Sequence, residues 1–366
     1  MYPHITYLEA IVVGLIQGVT ELFPISSLGH NVLLPALVGG QWAKDLSVSA
    51  PESPYLAFIV GMHVATAIAM ITYYWRDWLR IIKGFFGSIA HVILPAPGTR
   101  RWATQTAEQK LAWMIILATI PVGIAGLVLE HDFRVYFSKP VPTALFLALN
   151  GVILLYGERL RRRRVGLQEQ QMAEDRQIIE GRQMAAVGGP AVSGPAVSGP
   201  PVGGPAGGGP PGEPAHPAGQ RALKRREADL GVLSNRRLVR LGWLNAFGLG
   251  AAQILALLPG ISRDGMVMVS GLFRGLTMQD AARFSFLLSA PVIFAAGVLK
   301  IPDLTGPLGN GVRGQVLVGS IMSGVGAYLA LRFFVRYISD PKRTLTPFAV
   351  YCLVVGLGSA IYLGIR

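Results

Sequence analysis

The chain has 366 residues, of which 51% are hydrophobic and 14% charged, with a mean hydropathy of +0.46. Soluble domains carry about 25% charged residues, so this composition excludes an ordinary soluble domain and points to an all-α integral membrane protein. The formal net charge of +13 does not argue for a nucleic-acid partner, because Lys and Arg gather between the apolar runs, as cytoplasmic loops of membrane proteins require. The single cysteine, Cys352, rules out an internal disulfide and a cysteine-based metal site, and its apolar surroundings read as burial.

The first apolar stretch, 10–43, is interrupted by Glu21, Pro24, Ser26, Ser27, Gly29 and His30. It reads as two half-helices around a break, a re-entrant hairpin rather than a span, since broken backbone at membrane depth must be buried in protein or line a cavity. No basic segment precedes it and it contains Gln17 and Glu21, so it does not read as a cleaved signal. Windows free of Asp, Glu, Lys and Arg then follow at 53–75, 111–129 and 140–157, each close to the roughly 20 residues a helix needs to cross a bilayer. A second interrupted stretch, 241–275, is broken by Pro259, Gly260, Ser262, Arg263, Asp264 and Gly265, and three further windows lie at 284–299, 314–331 and 344–365. The short window 284–299 is expected to reach both interfaces by snorkelling of Arg283 and Lys300.

These elements divide the chain into a first repeat (1–157), a basic connection (158–240) and a second repeat (241–366). Each repeat is a broken hairpin followed by three spans. Basic residues concentrate in 76–110, 158–240 and 332–343, which places those loops in the cytoplasm and both termini outside. With an odd number of spans per half, the second repeat is expected to be inverted, and the matching spacing of Gln17 to Gly29 and Gln253 to Gly265 supports the repeat. Inverted repeats of this kind place their site near the midplane, at the tips of discontinuous helices. Within the connection, most residues of 188–219 are Gly or Pro, a composition that cannot bury a core and reads as a disordered linker. Residues 221–240 read as a basic helix able to lie on anionic headgroups of membrane lipid.

The chemistry concentrates in the two breaks. Gln17 and Glu21, at i and i+4, share one face of a half-helix. Glu21 could hold a hard divalent cation or orient His30, and Gln17 could add a neutral oxygen ligand. Pro24 ends the first half-helix, and Ser26 or Ser27 can cap the next. Ser27 and His30, at i and i+3, are candidates for a nucleophile and its acid–base partner. Gly29 permits close approach of backbone to a ligand. In the second break, Arg263 offers a fork for phosphate oxygens beside a helix N-terminus, with Ser262 next to it; a structural ion pair with Asp264 or Glu21 is the alternative. His63 reads as a satisfied core histidine that can support the site.

The Gln17-x-x-x-Glu21 spacing followed by Pro-Ile-Ser-Ser-Leu-Gly-His30 resembles the signature of the bacterial undecaprenyl-diphosphatase, or bacitracin-resistance, family. Pro259-Gly-Ile-Ser262-Arg263 is similar to that family's Pro-Gly-x-Ser-Arg-Ser-x-x-Thr motif, and Ala281 to Pro291 matches the block after it. The resemblance implies hydrolysis of undecaprenyl diphosphate to undecaprenyl phosphate and inorganic phosphate at the outer face of the bacterial plasma membrane, with a divalent cation (Mg2+ or Ca2+) as cofactor. It implies Gln17 and Glu21 at metal or acid–base positions, Ser27 as nucleophile, His30 as acid–base group and Arg263 as phosphate clamp, with Ser26, Gly260 and Ser262 around the substrate. A homodimer is admitted rather than required. Asp264 and Val267 depart from the motif, which has Ser and Thr there. The carboxylate is expected either to join the metal ligands or to neutralise Arg263. A polyprenyl-phosphate transporter, or a related phosphatase of altered substrate, is the rival reading, since broken helices in inverted repeats also serve transport.

Overall fold

The computed structural model of the protein describes residues 5–46, 54–93, 106–137, 139–164, 231–299, 311–340 and 342–365, with positions 170, 173 and 177 between them. Among the described residues it is all-helical. Internal packing separates 1–164 with 237–366, which holds both broken stretches, from a second unit of residues 165–236. The Gly/Pro-rich linker 188–219 lies outside the described residues.

The first stretch folds as expected of two half-helices. Helix α1 (Tyr7–Leu22) opens with a capping box in which Thr6 Oγ accepts from Glu9 N at 3.2 Å and Glu9 Oε2 accepts from Thr6 N at 2.7 Å. Pro24 follows its end, and α2 (Ser27–Val38) restarts the chain behind the N-cap Ser26. The short α3 (Gly40–Asp45) leads to α4 (Pro54–Tyr73), which coincides with the first charge-free window. Helix α5 (Trp75–Ile93) is amphipathic, α6 runs over Ala107–Phe137 and α7 over Pro140–Arg162.

In the second half, α8 (Gly231–Arg240) and α9 (Trp243–Ala252) with its 3-10 continuation Gln253–Leu257 meet at a bend of 97°. After the break, α10 (Arg263–Phe273) restarts behind the N-cap Ser262, followed by α11 (Met278–Leu299), α12 (Arg313–Ile338) and α13 (Thr346–Ile365). Among the described residues five helices, α6, α7, α11, α12 and α13, are long and apolar enough to cross a membrane, and the bent pair from Gly231 to Leu257 makes a sixth if counted as one span. Their outer faces leave Leu127, Val128, Val354 and Ile361 exposed, an arrangement suited to a lipid solvent. The protein is thus built as a multi-pass membrane protein.

Arg283 differs from expectation. Instead of snorkelling at the end of a span it lies inside α11, 11% exposed, and its NH2 donates to Asp77 of α5 at 3.0 Å. The reason is the partner: an anion on the neighbouring helix offers the guanidinium a bond that the interface would otherwise supply.

Backbones approach closely where the half-helices cross the bundle. A Cβ on Gly14 of α1 would sit 2.4 Å from Gly319 O of α12, and one on Gly250 of α9 would sit 1.9 Å from Ala118 O of α6. Helix α7 lies between the two breaks, packing on α2, α10 and α13.

Candidate active site

The two breaks meet. Ser26 holds φ +67°, the one non-glycine residue in the left-handed region among the described residues. Such backbone persists only where its surroundings over-determine it, and Ser26 is held from several sides. Its Oγ accepts from Gly29 N and from Gly260 N, both at 3.2 Å. Its carbonyl accepts from His30 N at 3.3 Å and faces His30 Nδ1 at 2.7 Å. Gly260 itself has φ +109°, and a side chain on Gly29 would lie 2.9 Å from Gly260 Cα. The lack of a side chain at Gly29 thus lets the backbones of the two breaks meet at Gly260. Ser262 repeats the role of Ser26: its Oγ accepts from Gly265 N at 3.1 Å and caps α10.

Asn150 of α7, fully buried, ties the two breaks together. Its Nδ2 donates to Pro24 O at 2.9 Å, and its Oδ1 accepts from Ser262 N at 3.0 Å. One side chain thus holds the turn before α2 and the cap of α10 at once. The sequence carried a signal for it, an amide inside the charge-free window 140–157, but not its partners.

Glu21 is the centre of the site. One oxygen accepts from the Arg263 guanidinium and the other from Ser27 Oγ. Gln17 Nε2 donates to the same second oxygen at 2.9 Å, and His63 Nε2 lies 3.5 Å from it. Gln17 in turn lies 3.3 Å from His63 Nε2 and accepts from Asn31 Nδ2 at 2.5 Å. His63 Nδ1 faces the carbonyl of Ile59 at 2.8 Å, so this nitrogen carries a proton and Nε2 is turned to the cluster. Of the two carboxylates considered as ion-pair partners of Arg263, Glu21 is the one it meets. Among the described residues its buried Nε has no hydrogen-bond partner, and its side chain retains 18% exposure, so donors remain for an anion.

The expected pairing of Ser27 with His30 is not the one the structure makes. Ser27 gives its hydrogen to Glu21, while His30 has Ser26 O on one ring nitrogen and Tyr351 Oη on the other at 2.8 Å. The i, i+3 spacing puts both residues on one helical turn, but His30 Nδ1 is drawn back to the carbonyl that precedes the helix. His63 enters instead as the imidazole beside Glu21.

Asp264 does not pair with Arg263. Its Oδ1 accepts from Ser285 Oγ at 2.7 Å and Ser289 Oγ at 2.6 Å, both on α11, and its Oδ2 is buried without a partner among the described residues. Two hydroxyls one turn apart on α11 draw the carboxylate away from the guanidinium. Val267 is wholly buried in the apolar core. Among the described residues no three of His, Cys, Asp and Glu converge to hold a metal ion.

A membrane-embedded cluster of one carboxylate, one guanidinium and a serine hydroxyl, set at the converging starts of two helices, defines a protein that handles an anionic group within an apolar helical bundle. The model of the bacitracin resistance protein BacA family matches residues 10–199 and 221–358, and the chain belongs to that family. Proteins named undecaprenyl-diphosphatase from Mycolicibacterium paratuberculosis and Mycobacterium avium are each 51% identical over 366 residues, covering all of both chains. One of the same name from Granulibacter bethesdensis is 33% identical over 359 residues, 97% of this chain and 96% of its own.

Proposed function

We infer that the protein hydrolyses undecaprenyl diphosphate to undecaprenyl phosphate and inorganic phosphate, returning the lipid carrier to cell-wall synthesis and lowering sensitivity to bacitracin. The observation that carries this is Glu21, bonded at once to Ser27 and Arg263 where the two breaks meet. Transport of a lipid phosphate needs a complementary charge. It does not need a hydroxyl whose hydrogen is already directed at a carboxylate.

In this reading the diphosphate takes the unused donors of Arg263 and the free N–H groups at the starts of α2 and α10. Ser27 Oγ forms a bond to the terminal phosphorus as the bridging P–O bond breaks, its proton passes to Glu21, and undecaprenyl phosphate leaves. Water then attacks the phosphoserine, releasing inorganic phosphate and restoring the hydroxyl. Positioned charge supplies most of the rate in such transfers, because the charge that builds on the phosphoryl oxygens meets donors already in place.

A divalent cation of the Mg2+ type takes about six oxygen ligands and is commonly held by one or two carboxylates plus substrate phosphates. The residues here fit that shared mode and not a site made by protein alone: Glu21 is the carboxylate at hand, with Gln17 beside it. When bound, the ion would neutralise part of the diphosphate charge. Asp264, turned onto Ser285 and Ser289, is outside the proposed ligand set.

We further propose six spans arranged as an inverted repeat in the plasma membrane, with the site open to the outer face. Three features support the repeat. Ser26 and Ser262 cap the second half-helices in the same way. Gly14 and Gly250 stand three residues before Gln17 and Gln253, each against the backbone of another helix. Helix α1 packs on α12 as α9 packs on α6.

Phosphate release from undecaprenyl diphosphate by the purified protein, with and without added divalent cation, tests the function. Wild type is expected to release phosphate and Ser27→Ala to lose at least about a hundredfold, the scale of a lost nucleophile or its base. Tracer movement across proteoliposomes with no phosphate release would transfer the assignment to a transporter.

A further inference from the structure

We propose that α5 lies in the plane of the membrane surface and that its cationic edge binds the headgroups of anionic phospholipids. None of the residues involved touches the cluster at Glu21, so the hydrolase assignment does not enter.

Helix α5 (Trp75–Ile93) turns Ile81 and Ser88 inward. The contacts that hold it fall on the first turns of the membrane-length helix α6. A Cβ on Gly84 would stand 2.8 Å from Glu108 C, Ser88 Oγ accepts from Trp113 Nε1 at 2.9 Å, and the Phe85 and Trp113 rings lie 5.3 Å apart. Asp77 adds a tie to Arg283 of α11 at 3.0 Å. A helix fixed against one end of a span sits at the depth of a membrane surface, not across the apolar interior. Its charges agree with that depth: Arg76, Asp77, Arg80 and Lys83 gather in its first half, and charges at the bilayer centre are costly.

The outward face of α5 is a single apolar stripe. Trp75, Leu79, Ile82, Phe86, Ala90 and Ile93 recur at steps of three or four residues and all are exposed, the large ones from 45% at Ile82 to 67% at Ile93. The two edges of the stripe differ. On one side stand Arg76 and Lys83, both exposed. On the other, Phe85 meets Trp113, from which the exposed Ile116, Ile120 and Ile124 carry the apolar surface along α6. Asp77 does not balance the cationic edge, because Arg80 and Arg283 already occupy it. Arg76 lies over the Trp75 ring at 5.2 Å, and among the described residues neither Arg76 nor Lys83 has an ion-pair partner. Such a helix rests its stripe at the acyl boundary with its basic edge among the headgroups. Continuity with the outer face of α6 favours lipid over a second protein as the occupant. The unbalanced cations favour anionic lipid over neutral lipid.

The test places a fluorophore on the stripe and asks which lipid reaches it. Cys352 is wholly buried and Ala90 exposed, so a bimane attached to Ala90→Cys reports from α5, with the protein lacking that substitution as the blank. The full chain is reconstituted in vesicles of phosphatidylcholine and phosphatidylglycerol, with a nitroxide on the acyl chain of one lipid or the other at equal mole fraction. Quenching by the phosphatidylglycerol nitroxide is expected to exceed that by the phosphatidylcholine nitroxide by about fivefold, the enrichment one cation at an anionic surface supports. The excess should shrink at high salt. Arg76→Gln with Lys83→Gln should bring the ratio close to one, and Arg76→Lys with Lys83→Arg should keep it. Both pairs should unfold in detergent as wild type does, because the two side chains are exposed. Equal quenching by the two lipids would overturn the proposal, as would an excess that survives the glutamine pair. Quenching by neither would mean that water or protein covers the stripe, which overturns it as well.

Discussion

Replacing Asn150 by alanine separates the two breaks without touching any group that meets substrate. The side chain makes bonds of 2.9 Å to Pro24 O and 3.0 Å to Ser262 N, and its Nδ2 also lies 3.4 Å from Cys352 Sγ on α13. Alanine reaches none of them. Pro24 and Ser262 are both buried, so water cannot take over the two backbone groups. An orphaned buried group costs about 1–3 kcal/mol, whereas side-chain hydrogen bonds between membrane helices measure only about 0.6 kcal/mol on average, because the unfolded chain in lipid also finds partners. Two orphaned backbone groups then put the loss between about 1 kcal/mol, twice the membrane average, and about 6 kcal/mol, twice the upper cost of an orphaned group. The weak Asn150–Cys352 contact is negligible beside it. The loss falls on the relative placement of α2 and α10, hence on the distance between Ser27 and Arg263. Displacements of about 1 Å at a reacting centre cost on the order of a hundredfold in rate. Thermal unfolding in detergent and phosphate release read the two effects separately. A variant with unchanged unfolding and kcat within twofold of wild type would refute the claim that Asn150 holds the halves together. Asn150→Asp sharpens the comparison: it keeps the acceptor for Ser262 N but turns a carboxylate oxygen toward Pro24 O, and should be no better than alanine.

Arg263→Lys keeps the charge against Glu21 and loses the fork, so the protein should fold while phosphate release falls at least about tenfold, a distinction read from unfolding and kcat/KM together. Asp264→Asn keeps an oxygen for Ser285 and Ser289 and removes a buried charge whose Oδ2 has no partner. Stability should hold or rise, with activity within about threefold of wild type; a loss of cation dependence in this variant would show that Asp264 is a metal ligand after all. Gly250→Val forces side-chain carbon against Ala118 O, where a Cβ alone would stand 1.9 Å away. The half-helix must shift, and folded yield in detergent should drop sharply, beyond the roughly 1–3 kcal/mol of ordinary overpacking.

The sequence by itself determined the class of protein and the chemical inventory of the site. Charge-free windows coincide with helices because a bilayer admits few charges and demands that backbone groups pair within the helix. The half-helix ends at Pro24 and Pro259 were legible because proline disfavours helix in the residue before it, and the i, i+4 spacing of Gln17 and Glu21 does bring those side chains together at 2.9 Å. Spacing of three or four residues was less reliable where a second partner competed. Ser27 and His30 share a turn, yet Glu21 takes the hydrogen of one while Ser26 O and Tyr351 take the ring of the other. Only the tertiary structure could decide these pairings. The partners of Glu21, His30 and Asn150 lie as far as 242, 321 and 202 positions away. Local sequence says which polar groups stand in the membrane. Which of them meet depends on how α7, α11 and α13 pack against the breaks, since each buried polar group takes whichever partner that packing brings within reach.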